Sequence, residues 1–181
     1  MSRHFNNIME LYIIEDYKDI YPDLKGSMLT DELIKDCFQQ YGIERPQVRR
    51  TPKGKPYADF CAGGDTPEAE RKVHLSVSHS KNIFVCIIAE NPVGIDVQHR
   101  TRASADKIAA RYFTGEEKKY MDEHGEKGFF TLWTRKEAYS KLTGKGLEEI
   151  MAGASVLNRK DVCFTDLQLE DGVWCSYCMG I

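Results

Sequence analysis

The sequence predicts an α+β fold of two pseudo-symmetric lobes, residues 1–92 and 93–181, each a helix packed on a small antiparallel sheet. Three observations carry that expectation. The elements run strand, helix, strands, then helices and strands again, the order of a mixed fold rather than of alternating parallel units. Asn91-Pro92 punctuates the chain near its middle, and Asp171-Gly172 is a strong hairpin signal near its end. Finally, 181 residues, of which 41% are hydrophobic and 29% charged, suffice for one large core or two small ones.

Taken in order, residues 9–14 form a short strand after a loose tail. Leu29, Leu33, Cys37 and Tyr41 recur at helical spacing, and Gly42 stops that helix. Arg49, Arg50, Lys53 and Lys55 around Pro52 and Pro56 read as a basic, proline-broken loop, and 61–72 as a polar surface loop. Strands follow at 74–77, 83–89 and 93–97. The second half reads as helix 102–112, a short helix 115–123 and a long helix 128–142 ending at Gly144. Strands near 154–158, 162–169 and 173–179 close the chain.

The charge sum of −3 excludes bulk attraction to nucleic acid or to an anionic membrane. The longest apolar run, 83–89, has the length of a strand and not of a membrane span. The first residues lack the apolar centre of an export signal, so a cytoplasmic location and six reduced cysteines are expected. Cys175 and Cys178 have C-x-x-C spacing without a second pair. Three residues apart on a strand, they face opposite ways, as structural thiols.

Val93 to Gln98 alternates strictly, so Asp96 and Gln98 share a face, about 6.5–7 Å apart at the Cα. Two oxygen ligands at that spacing can converge on a hard cation such as Mg²⁺; a solvated polar face is the plainer reading. Trp133, Glu137 and Lys141 stack at i, i+4 beside Phe130, giving a partly desolvated acid in need of a cation. Lys141 could be that cation, in a helix salt bridge of about 0.3–0.5 kcal/mol, or a metal shared with Asp96 could be. Thr114 to Glu117 is a capping-box pattern, which competes with any role of Glu117 as a general base. Ser78-His79-Ser80 at a strand end and the rigid Lys53-Gly54-Lys55-Pro56 loop can each hold a phosphate, or be ordinary turns. Gly144-Lys145-Gly146 lacks the strand and helix of a P-loop and reads as a helix stop.

Three motifs stand in order: Gly-Lys-Pro at 54–56 with Ser-His-Ser at 78–80, Gly-Ile-Asp-Val at 94–97, and Trp-x-x-Lys-Glu-Ala-x-x-Lys-x-x-Gly-x-Gly-Leu from Trp133 to Leu147. In these the chain resembles the 4′-phosphopantetheinyl transferase superfamily over at least residues 54–147. The likeness is to its monomeric, two-lobed, surfactin-synthetase-activating class rather than to the short trimeric synthases. The resemblance implies transfer of the phosphopantetheine arm of coenzyme A to a serine of an apo-carrier protein, acyl or peptidyl, with release of 3′,5′-ADP. It implies a cytoplasmic monomer with neither nucleic acid nor membrane as partner, serving fatty-acid, polyketide or nonribosomal peptide synthesis. Asp96 and Glu137 then match Mg²⁺ ligands, Mn²⁺ being the alternative ion, with Gln98 at a third metal position where many members carry an acid. Lys141 matches the lysine on the reacting phosphate, Glu117 the base for the serine hydroxyl, and His79, Ser78 and Lys55 the groups holding the coenzyme's phosphates. The match at the N-terminal end does not carry Lys25 into this set. Two alternatives stay open: a metal-dependent coenzyme A pyrophosphatase, and a carrier-binding module without catalysis, for which Gln98 is the hint.

Overall fold

A computed structural model describes residues 9–44, 46–52, 54–59, 73–101, 105–146 and 155–181. It contains two three-stranded antiparallel sheets of one topology, a mixed α+β architecture. In the first, β1 (Met9–Ile14), β4 (His74–Ser80) and β5 (Ile83–Ala89) lie in the order β1-β5-β4. In the second, β6 (Val93–His99), β7 (Val162–Glu170) and β8 (Val173–Gly180) lie in the order β6-β8-β7. In both, the last strand in sequence takes the centre. A helix follows the first strand of each: α1 (Gly26–Gln40) in the first half, and α2 (Ala105–Tyr112) with α3 (Gly115–Thr143) in the second.

The layers run α1, first sheet, second sheet, α3. Leu33, Ile34, Cys37 and Phe38 of α1 bury against Leu75, Phe84, Cys86 and Ile88. The alternate residues of β5, Ile83, Val85, Ile87 and Ala89, pack instead on Val93, Ile95, Val97 and Cys175 of the second sheet. Strand β5 is therefore buried on both faces, which is why its sequence is uninterruptedly apolar rather than alternating. Beyond the second sheet, Phe130 stacks on Trp174 at 4.2 Å between ring centres, and Ala138 and Tyr139 bury with Cys178. Cys175 and Cys178 thus enter different cores, and burial pushes each thiol up to about 12.

Two local expectations change, and a third gains a sharp turn. The segment expected as a basic loop is a hairpin of β2 (Gln47–Arg50) and β3 (Pro56–Asp59), and Val48 and Ala58, cross-strand partners, pack against the α1 core. Pro56 is tolerated because it opens a strand that, among the described residues, has a partner on one side only. No strand forms over 155–158; the N–H of Val156 donates to the Glu117 carboxylate instead of to a ladder. The helices expected at 115–123 and 128–142 both form, as the two arms of α3, and the chain reverses direction between them at Gly125. There φ is 59° and ψ −139°, a region open essentially to glycine. A straight helix would hold Glu117 and Lys136 about 28 Å apart; they are in contact at 2.9 Å. The polar loop 61–72, the tail before Met9, Lys53, Leu147 and the first three residues of the helix expected at 102–112 lie outside the described residues. Among the described residues, no helix is long and apolar enough to cross a membrane.

Candidate active site

Strand β6 meets α3 so closely that Gly94 is the only residue type that fits: a Cβ there would sit 2.0 Å from the Ala138 carbonyl oxygen. The same face of the strand carries Asp96 and Gln98, as alternation requires. Asp96 is 2% exposed. Its Oδ1 accepts from Ser78 Oγ at 2.8 Å and from Lys141 Nζ at 2.7 Å, and its Oδ2 accepts from Gln98 Nε2 at 3.0 Å. The partner of Lys141 is therefore Asp96, from another element. Among the described residues, no ion pair joins Lys141 to Glu137, its i−4 neighbour.

Glu137 faces the same space. Burial, and then the nearby charge of Asp96, push its carboxyl up to about 7, against the opposing pull of Lys141. Asp96, Glu137 and the carboxamide of Gln98 are an all-oxygen donor set that suits Mg²⁺ or Mn²⁺ and not a thiophilic ion. The repulsion between the two acids is the observation that fits a cation there. No group of three His, Cys, Asp or Glu side chains converges among the described residues, so a bound ion would complete its shell with water or substrate oxygens.

The raised Glu137 carboxyl has a consequence for stability. The folded form binds its proton more tightly than the unfolded chain, so the stabilisation is full below about pH 4.5 and is lost as pH rises through about 7. In chelator, wild type should lose stability relative to Glu137→Gln across that window. Urea midpoints of the two proteins at pH 5 and pH 8 measure it, and a constant difference would overturn the assignment.

Two cavities flank β4. One is lined by Lys55, Ser76, Ser140 and Lys141 together with Gly144 and Gly146. Lys55 Nζ donates to the Lys141 carbonyl at 2.5 Å, which fastens the β2–β3 hairpin to the end of α3; burial lowers its pKa. The other cavity gathers Tyr17, Lys18, Lys25, His79 and Lys81. His79 is exposed there, and its ring lies 5.9 Å from that of Tyr17. Partial desolvation, then Lys141 and Lys18, lower its pKa, with Asp96 opposing. Three lysines and an imidazole around one cavity suit a dianionic ligand group. Lys18 and Lys81 carried no signal in the sequence, since neither stands in a motif.

Residues 92–173 match the family model of the 4′-phosphopantetheinyl transferase superfamily. The chain is 40% identical over 132 residues to the 4′-phosphopantetheinyl transferase psf-1 of Bacillus pumilus, covering 69% of this chain and 52% of that one. It is 32% identical over 136 residues to gsp of Aneurinibacillus migulanus (72% and 51%) and 31% over 147 residues to Sfp of Bacillus subtilis (77% and 61%), both also named 4′-phosphopantetheinyl transferases. The chain belongs to the 4′-phosphopantetheinyl transferase superfamily. It spans between about half and three fifths of the length of these relatives.

The superfamily match embraces β6, α3 and β7, and so Asp96, Gln98, Glu117, Glu137 and Lys141 together. The structure gathers Ser78, Asp96, Gln98, Glu137 and Lys141 into one cluster with Lys55 at its rim. Glu117 stands apart from it. Its side chain is fully buried at the start of α3, in a complete capping box with Thr114. Its oxygens accept from the N–H of Thr114 and of Val156, each at 2.8 Å, and pair with Lys136 Nζ at 2.9 Å. Burial lowers the pKa of Lys136 more than this pairing raises it. The quoted Trp-x-x-Lys-Glu motif contains Lys136, but only the reversal of α3 shows what it holds.

Proposed function

We propose that this chain transfers the 4′-phosphopantetheine arm of coenzyme A to a serine of an apo-carrier protein, acyl or peptidyl, releasing 3′,5′-ADP. The observation that carries the reading is the mutually repelling pair Asp96 and Glu137 beside Lys141, within the region that matches the superfamily. Asp96 and Glu137 would hold Mg²⁺, or Mn²⁺ in its place, with Gln98 contributing its amide oxygen directly or through water. The ion supplies charge neutralisation at the pyrophosphate. Lys141 adds positive charge where negative charge grows on the reacting phosphate. Ser78 keeps the Asp96 carboxylate aimed, and Lys55 lines the neighbouring cavity as a second cation. His79, with Lys18, Lys25 and Lys81, would hold the coenzyme's remote phosphate, which carries no reacting bond. We also propose that the chain works as a monomer in the cytoplasm, with a lobe boundary near Asn91-Pro92.

Glu117 is assigned here to the fold rather than to proton transfer, because three donors already engage its carboxylate. Glu117→Gln keeps a capping side chain but leaves Lys136 buried opposite a neutral group. A stability loss of about 3 kcal/mol is expected, with turnover per folded molecule within threefold of wild type. The role of base predicts the opposite: turnover lower by about 10²–10⁴-fold and an unchanged melting temperature. Paired melting and turnover measurements separate them.

The function itself is tested by incubating the protein with coenzyme A, Mg²⁺ and a panel of apo-carrier proteins, then weighing the intact carriers. Phosphopantetheine on a carrier serine is the expected result. Free phosphopantetheine with unmodified carriers would mark a pyrophosphatase, and neither product an inactive binding module.

A further inference from the structure

Ser76, Ser78 and Ser80 alternate along β4, so their side chains share the face turned toward the second sheet. Each engages β6. Ser76 Oγ accepts the N–H of Ile95 at 3.1 Å, and Ser80 Oγ accepts the N–H of His99 at 3.1 Å. Between them Ser78 Oγ donates to Asp96 Oδ1 at 2.8 Å. Yet β4 and β6 belong to different sheets, and among the described residues the only ladder of β6 is with β8. A seam of hydroxyls therefore takes the place of backbone pairing along the free edge of β6.

We infer that Ser76 and Ser80 are positioning residues that pin β6 on either side of Asp96 and so fix where its carboxylate stands. The inference rests on the reading of Asp96 as a metal ligand. The physical argument is one of satisfaction. Ile95 is fully buried, so its N–H must find an acceptor; without Ser76 the strand must shift to find one. A shift well under 1 Å is enough to spoil a site whose ligands come from two elements. Serine is suited because its oxygen can reach a main-chain N–H across the gap between two sheets without filling it.

Threonine and valine at position 80 have the same shape and differ in the oxygen, which makes the test clean. Mn²⁺ is titrated into the coenzyme-free protein by electron paramagnetic resonance, for wild type, Ser76→Ala, Ser80→Val, Ser80→Thr and Asp96→Asn. Ser76→Ala and Ser80→Val should raise the Mn²⁺ Kd about five- to tenfold, the worth of about one hydrogen bond. Ser80→Thr should stay within twofold. A residue that merely touched the coenzyme would leave this affinity unchanged. Wild-type affinity in Ser80→Val, or an equal loss in Ser80→Thr, would overturn the inference. If wild type shows no Mn²⁺ binding that Asp96→Asn removes, the metal reading fails by itself, and hydrogen exchange decides the pinning. The His99 amide should then exchange at least tenfold faster in Ser80→Val than in Ser80→Thr, and equal rates would overturn it.

Discussion

Gly94→Ala is expected to cost about 3 kcal/mol or more, a drop in melting temperature on the order of 10 °C. The added Cβ would stand 2.0 Å from the Ala138 carbonyl oxygen and 2.6 Å from the Leu142 nitrogen, both main-chain atoms of α3. No side chain can rotate away to relieve that contact, so either β6 or the helix must move. The move also separates Asp96 on β6 from Glu137 and Lys141 on α3, so activity should fall further than stability. Gly180→Ala is the control, because nothing lies within 4 Å of its added Cβ. Melting curves that move by less than 2 °C in Gly94→Ala would show that the strand and helix sit further apart.

Glu137→Ala should abolish transfer, by about 10²–10³-fold or more, while raising the stability of the metal-free protein at pH 8. The two effects have opposite signs for one reason. The carboxylate is held in a buried place beside the charge of Asp96, which disfavours its ionised form and lifts it to about 7. Deleting it relieves the fold and removes the proposed ligand. Stability of this kind is what a working site commonly gives up. Transfer within a few-fold of wild type at saturating Mg²⁺ would remove Glu137 from the metal site.

What the sequence showed depended on whether a feature was local. The apolar run of β5, the helical spacing of Leu29, Leu33 and Cys37 and the Asp171-Gly172 turn report their own conformation, and all are found where expected. The β2–β3 hairpin was hidden because only Val48 and Ala58 need to face the core, amid charges and prolines that spell a loop. The strand expected near 154–158 failed for a tertiary reason: a side chain from the start of α3 takes the N–H of Val156. At the site the same divide recurs. That Asp96 and Gln98 share a face follows from alternation, and that Glu137 and Lys141 share one follows from helical period. That Lys141 turns to Asp96, and that Lys136 reaches Glu117, depends on how β6 meets α3 and how α3 doubles back at Gly125.

Strand β5, sealed on both faces in the native protein, is a hazard before folding finishes. Its seven residues, Ile83 to Ala89, carry no charge and no proline, the profile of a segment that stacks on copies of itself. One edge is covered early, by the hairpin through Lys81 and Asn82 to β4. The other waits for β1, whose paired residues lie 70 to 80 positions upstream, a slow closure. Until then the open edge faces solvent, guarded by Lys81 before the strand and by Glu90 and Pro92 after it. Refolding yield should therefore fall with protein concentration, and overexpression should test the solubility of this chain at β5 before anywhere else.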